Sequence, residues 1–179
     1  MKIKLTPQLS YLIGLWKEKR TKEGIGVYGD EKLLSLFAKA VLENKLSEPN
    51  KLLTEKDEPE EGTEDEETEE LGSIYFYHTS YRKFFQKVID DELERFKYKN
   101  EYSASFLAGL FDAVGGITRE GKVYLSKRTQ KDEMVLYRLG FNPIKRKGTL
   151  YFTRPKKFLL YIKSFTKKYK DSPVFSKIK

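Results

Sequence analysis

SFLAGLFDAVGG, Ser105 to Gly116, threads small residues through an apolar run and ends on two glycines. It reads as a helix with Ser103 as N-cap, running to about Val114 and stopped by Gly115-Gly116. A copy of this run lies near the start of the chain. Tyr11-Leu12-Ile13-Gly14-Leu15-Trp16 matches Phe106-Leu107-Ala108-Gly109-Leu110-Phe111 at an offset of 95. Val27-Tyr28 then matches Val123-Tyr124 at an offset of 96, and Gly72-Ser73-Ile74-Tyr75-Phe76 matches Gly148-Thr149-Leu150-Tyr151-Phe152 at 76. The fall of 20 reflects an extra, largely acidic stretch in the first half. An internal repeat of this kind organises everything else in the chain.

The second half shows the unit most clearly. After the helix, Ile117 to Arg119 and Lys122 to Lys127 read as strands joined at Glu120-Gly121. Thr129-Gln130-Lys131-Asp132 has the form of a capping box opening a helix to Leu139, which Gly140 closes. Ile144 to Lys147 and Thr149 to Arg154 form a hairpin turning at Gly148, and Pro155 starts a helix to about Tyr169. The first half repeats this order. It has a helix over Gln8 to Lys19, a strand pair ending at Val27-Tyr28, and a helix over Glu31 to Glu43 capped by Asp30. Strands near Lys51 to Thr54 and Ser73 to Tyr77 follow, then a helix from Tyr81 to Phe96. The unit is αββαββα, twice: 1–96 is one repeat, 97–102 a linker and 103–179 the second. Residues 55–71, acidic and without aromatics, cannot bury enough apolar surface to order themselves and are expected to form a mobile hairpin tip.

Leu107 to Gly115 resembles the signature helix of the LAGLIDADG homing endonucleases, and the doubled unit resembles that family's two-repeat monomers along nearly the whole chain. The resemblance implies an α+β fold of two pseudo-twofold-related repeats whose antiparallel strands form a saddle. It also implies that the two signature helices pack closely through small residues, Gly14 meeting Ala104, Ala108 and Gly109. In that family an acidic residue at the base of each signature helix helps hold divalent cations at the scissile phosphates. The equivalent positions here are Lys19 and Val114. A lysine repels a metal ion and a valine has no donor for one. Glu18 and Asp112 are acidic neighbours, but one or two residues along a helix turn a side chain by about 100° or 200°. A slip of the first motif would bring Glu18 into place, and nothing comparable serves Val114. No catalytic residue, metal or cofactor is therefore expected.

Strand alternation gives the binding face. Ile117, Val123, Leu125, Ile144, Leu150, Phe152, Ile74 and Phe76 form one face, directed at the helices. The other displays Thr118, Lys122, Tyr124, Ser126, Lys145, Lys147, Thr149, Tyr151 and Thr153, with Tyr75 and Tyr77 from the first half. Arg119, Arg128, Arg146 and Arg154 lie at strand ends or turns nearby. Such a face offers donors to phosphates and base edges, and tyrosines that stack on bases. His78, the sole histidine, has no partner for a metal site and reads as a helix-entry or surface residue.

Charge supports the same face. The chain carries 35 basic and 27 acidic residues, but 55–70 alone holds eleven acids and one base. The rest is +18, an electrostatic footprint for a polyanion. There is no Cys, hence no disulfide or thiolate site, and a reducing interior is expected. The N-terminal apolar stretch is too short and broken for a signal peptide or membrane span. Abundant Lys and Glu with few Asn and Gln suit a thermophile. Together these features point to a noncatalytic protein that binds double-stranded DNA, as a regulator or architectural factor. It is expected to be a cytoplasmic, nucleoid-associated monomer with an internal pseudo-dimer. An RNA-binding, maturase-like factor, a divergent homing endonuclease or nickase, and a protein-interaction module remain as alternatives.

Overall fold

The computed structural model describes residues 2–57 and 71–176. The first long helix, α1 (Pro7–Lys17), starts where Pro7 presets the backbone and Thr6 Oγ1 accepts the Leu9 N–H at 3.1 Å. Every residue from Leu9 to Lys17 is buried. Such a helix needs neighbours on all sides. Its principal neighbour is the matching helix of the second half.

From α1 the chain continues through β1 (Ile25–Asp30), α2 (Glu31–Glu43), a 3-10 turn at Pro49–Lys51, β2 (Leu53–Lys56) and β3 (Leu71–Phe76). Helices α3 (Thr79–Asp90) and α4 (Glu92–Arg95) complete the first half. The second half is α5 (Glu101–Val114), β4 (Gly115–Ile117), β5 (Val123–Leu125), α6 (Gln130–Arg138), β6 (Ile144–Arg146), β7 (Thr149–Tyr151) and α7 (Pro155–Ile162), followed by a short α8 (Pro173–Ser176). The strands form two antiparallel sheets, β1-β3-β2 and β4-β5-β7-β6. This is the expected α+β architecture.

Helices α1 and α5 cross through their glycines, in a reciprocal way. A Cβ on Gly14 would collide with the Phe106 carbonyl and lie 2.9 Å from the Leu110 nitrogen. One on Gly109 would collide with the Tyr11 carbonyl and lie 2.8 Å from the Leu15 nitrogen. Gly14 and Gly109, Tyr11 and Phe106, and Leu15 and Leu110 are each 95 residues apart, so the contact maps onto itself when the halves are exchanged. Gly14 seats on the Phe106–Leu110 turn of α5, the turn that contains Ala108 and Gly109, and Gly109 seats on the Tyr11–Leu15 turn of α1, which contains Gly14. Ala104 and Ala108 are buried in α5.

The inner sheet faces close over this helix pair with Ile25, Val27, Ile74, Phe76, Val123, Leu125, Leu150 and Phe152, all buried. Several boundaries differ from the sequence expectation. Ser103 is not the N-cap of α5; Asn100 is, with Ser103 as the reciprocal third residue of a capping box. The first strand of the first half is reduced to a single bridge from Arg20 to Val27, because α1 stops at Lys17 and the chain turns at once. The helix expected over Tyr81 to Phe96 breaks at Asp91. Helix α7 ends at Ile162, since the N–H groups of Lys167 and Lys168 turn to the Asp112 carboxylate instead of extending the helix. Glu55, Lys56 and Leu71, expected in a mobile tip, are strand residues, Asp57 donates its N–H to the Leu71 carbonyl at 3.1 Å, and the remainder of that tip, 58–70, lies outside the described residues.

Candidate nucleic-acid interface

The two helix ends carry no pair of metal-binding carboxylates. Val114 is the last residue of α5, 4% exposed, and its carbonyl accepts the Ser126 N–H at 2.8 Å and the Ser126 hydroxyl at 2.7 Å. Lys19 lies beyond the end of α1, half-buried, with its carbonyl accepting the Tyr28 N–H at 2.8 Å. Glu18, at the C-cap of α1, is half-buried between the halves. Its Oε1 is buried and accepts no hydrogen bond from the described residues. Burial, and then the Asp132 carboxylate, push its pKa up against the opposing pull of Lys17, Arg20 and Lys127. Asp112 points into the interior, where it accepts from the Tyr11 hydroxyl at 2.7 Å, the Thr166 hydroxyl and the Lys167 and Lys168 N–H groups. No three His, Cys, Asp or Glu side chains come together as metal ligands among the described residues. One carboxylate beside a lysine, opposite a valine, is a donor set that does not fit a divalent cation.

The outer face of the second sheet is a basic trough. It is lined by Thr118, Arg119, Lys122, Arg146, Lys147 and Tyr151, among others. The register explains the grouping: Tyr124 lies opposite Tyr151, Ile144 opposite Tyr151, and Arg146 opposite Thr149. The Tyr124 and Tyr151 rings are 6.1 Å apart, and the Tyr124 ring lies across Gly116, its partner on β4, where a Cβ would collide with it. Two tight turns hold the cations at the rim. Lys147 and Gly148 adopt φ of 46° and 82°, the primed geometry that joins two strands directly. Gly121, φ 82°, closes the other turn behind Arg119, while Lys122 sits 3.2 Å from an equally exposed Glu120. An ion pair so open to water leaves the lysine available to another anion.

The matching face of the first sheet has a different character. Tyr28 donates to Asp57 at 2.7 Å, Tyr75 to Glu55 at 2.8 Å and Tyr77 to Glu23 at 2.6 Å. These hydrogen bonds push the phenol pKa values up, that of Tyr75 to about 12, because each ionised phenol would face a carboxylate. Arg20, Lys22, Thr21 and Ser73 complete this face.

Three sequence expectations change here. Ile144, expected inside, is 48% exposed on the trough face. Lys145, expected on that face, lies opposite buried Leu150 and belongs to the reverse side of the edge strand. The strand phase is one residue off, which exchanges the faces of Lys145 and Arg146. Arg128 does not reach into the sheet face: its side chain is 12% exposed, with Nε 3.2 Å from Glu133. Thr153 lines the trough and donates to the Asn142 carbonyl at 3.1 Å, and Arg154 is exposed at the start of α7. His78 caps α3, its Nδ1 accepting the Tyr81 N–H at 3.3 Å. Sequence reasoning missed Tyr28, Glu23, Glu55 and Asp57. Alternation along Ile25-Gly26-Val27-Tyr28 is a signal that would have found Tyr28, whereas the three acids carry no local signal.

Two halves crossing at small-residue helices, each laying a sheet on one side, define the fold of the LAGLIDADG homing endonucleases. Solved structures of the homing endonuclease I-DmoI are among those whose fold this chain shares. Against structures of its mesophilic variants the TM-score is 0.57 at 16% identity, covering 88% of this chain and 96% of that one. Against I-DmoI in complex with DNA and Mn it is 0.54 at 16% identity, covering 87% and 96%. Against the complex with DNA and Ca it is 0.56 at 14% identity, covering 95% of each chain. No protein-family model matches the chain, and no curated protein matches it in sequence.

Proposed function

We propose that the chain is a noncatalytic relative of the LAGLIDADG homing endonucleases that binds double-stranded DNA through its sheets. It acts as a monomer whose two repeats, 1–96 and 103–179, stand in for a dimer. The observation that carries this reading is the trough of the second sheet, which Arg119, Lys122, Arg146 and Lys147 line together with Tyr151, whose ring lies 6.1 Å from that of Tyr124. Cations at the rim suit backbone phosphates, and polar and aromatic groups between them suit base edges. Comparison with DNA-bound I-DmoI supports duplex DNA as the polyanion. Lys19 and Val114 at the helix ends support binding without cleavage, so the role is regulatory or architectural. No helix among the described residues is long and apolar enough to cross a membrane, and a nucleoid-associated location follows from the same reading.

The test is equilibrium binding of a labelled duplex across a salt series, with unlabelled duplex DNA and structured RNA as competitors. The reading predicts a linear fall of log K with log salt and stronger competition by duplex DNA. A flat salt response contradicts nucleic-acid binding altogether, and preferential competition by RNA would move the assignment to RNA.

A further inference from the structure

We infer that the DNA interface is one-sided: the second sheet holds the duplex and the first sheet, in its present hydrogen-bonded state, does not. This rests on the DNA-binding reading above and makes it narrower. A two-repeat saddle with equivalent halves would present two equivalent surfaces. The halves here share one plan and are opposed in charge.

The side chains that line the trough of the second sheet carry a formal charge of +3, four cations against Glu120. Those on the corresponding face of the first sheet carry −1, Arg20 and Lys22 against Glu23, Glu55 and Asp57. Hydrogen bonding widens the difference. Tyr28, Tyr75 and Tyr77 each commit their only donor to one of those carboxylates. To contact a phosphate, a hydroxyl must first leave its carboxylate, and the freed carboxylate then repels the phosphate it was meant to admit. In the second sheet the Tyr124 and Tyr151 rings lie 6.1 Å apart, and among the described residues neither hydroxyl donates to a carboxylate. The turns follow the same division. Lys147 and Arg119 stand at the tips of the second sheet, whereas Glu23 stands at the turn into β1 and Asp57 at the end of β2. The sequence joining β2 to β3 adds nine acids and no base over 58–70.

The consequence is a short footprint. Four phosphate-neutralising side chains give a log–log salt slope of about −3.6 on B-form DNA, and each one removed lowers its magnitude by about 0.9. The experiment uses the full chain and a mixed-sequence duplex of about 30 base pairs, read by hydroxyl-radical protection and by salt titration. The expected result is protection confined to one flank. Arg119→Ala with Arg146→Ala is expected to weaken binding at least tenfold, and Arg20→Ala with Lys22→Ala to change it less than twofold. Glu23→Gln, Glu55→Gln and Asp57→Asn together keep side-chain size and are expected to tighten binding and extend protection to the second flank. Circular dichroism melts confirm that each variant is folded. Protection spanning both flanks in the unaltered chain overturns the inference alone. So does an equal loss from the Arg20, Lys22 pair. Absence of salt-sensitive binding overturns the DNA-binding reading, and this inference with it.

Discussion

Lys17 and Asp112 occupy the same place in the two central helices, 95 residues apart, and carry opposite charges. Both are buried, at 3% and 1% exposure. Lys17 reaches Glu92 at 2.6 Å, Thr129 at 2.9 Å and the Asp132 carboxylate. Asp112 accepts from Tyr11, Thr166, Lys167 and Lys168. Glu92 and Lys168 are themselves related by the offset of 76 that relates the two hairpins. Each residue therefore joins the closing segment of its own half to a residue of the other: Asp132 for Lys17 and Tyr11 for Asp112. One structural position is conserved in geometry between the halves and inverted in charge.

Removing the lysine from this network isolates two buried carboxyl groups. Lys17→Met is expected to cost about 3–5 kcal/mol, the usual penalty for breaking a buried ion pair. The loss should be smaller at pH 5 than at pH 8, because protonation of Glu92 relieves its repulsion with Asp132. Urea unfolding at the two pH values checks both magnitude and direction; an equal loss at both would mean the carboxyls are not the penalised groups.

Glu92 makes the stability of the unaltered protein depend on pH. Burial first, and then Asp132, raise its pKa from 4.5 to about 8. The folded chain thus keeps a proton that the unfolded chain releases over this interval. Stability contributed by the site is fully present below pH 4.5 and falls as pH rises towards about 8. Burial raises Asp112 as well, which acts in the same direction. Glu92→Gln retains an acceptor for Lys17 and should flatten the decline, gaining on the parent as pH increases. Parallel stability curves for parent and variant would exclude Glu92 as the source.

The helix crossing gives a test of the pseudo-twofold contact. Gly109→Ala and Gly14→Ala each drive a methyl group into opposing backbone, which cannot rotate away as a side chain can. Each is expected to destabilise by about 2–3 kcal/mol, or a fall in Tm of roughly 5–10 °C for a chain of this size. Thermal melts of the two variants should agree closely, since the contacts are equivalent. A large difference between them would show that the two helices do not cross symmetrically.

Neighbouring residues on β6 separate the two possible strand phases. Arg146→Ala should weaken DNA binding several-fold and reduce the salt slope by about 0.9, whereas Lys145→Ala, on the reverse side, should leave the slope unchanged. Paired salt titrations give the answer, and the opposite pattern would restore the phase that hydrophobicity alone suggests.

That strand shows where the sequence is legible and where it is not. The repeat, the two central helices and α2 with its Asp30 cap can be read locally, because caps, glycines and apolar periodicity lie within a few residues of one another. The same holds for the Thr129 capping box of α6. Phase is equally clear in β5 and β7, where Val123, Leu125 and Leu150 must be buried. In β6 the apolar residue is a poor guide: it is an edge strand, and pairing of Ile144 with Tyr151 fixes its direction. Charge pairing across the fold leaves no local trace. Lys17 finds its acids 75 and 115 residues away, and the first-sheet tyrosines find theirs 20, 29 and 54 residues away. A lysine that looks like a surface residue is thus buried, and tyrosines that look free to bind are already engaged.

The measurement that tests the central claim most directly is incubation of the purified chain with a randomised duplex-DNA pool in Mg²⁺, recovering bound and cleaved molecules separately. Intact duplexes retained by the protein, with no defined new ends, are the predicted result. Defined ends that disappear when a chelator is added would contradict it, and would show that Lys19 and Val114 do not prevent metal-dependent cleavage.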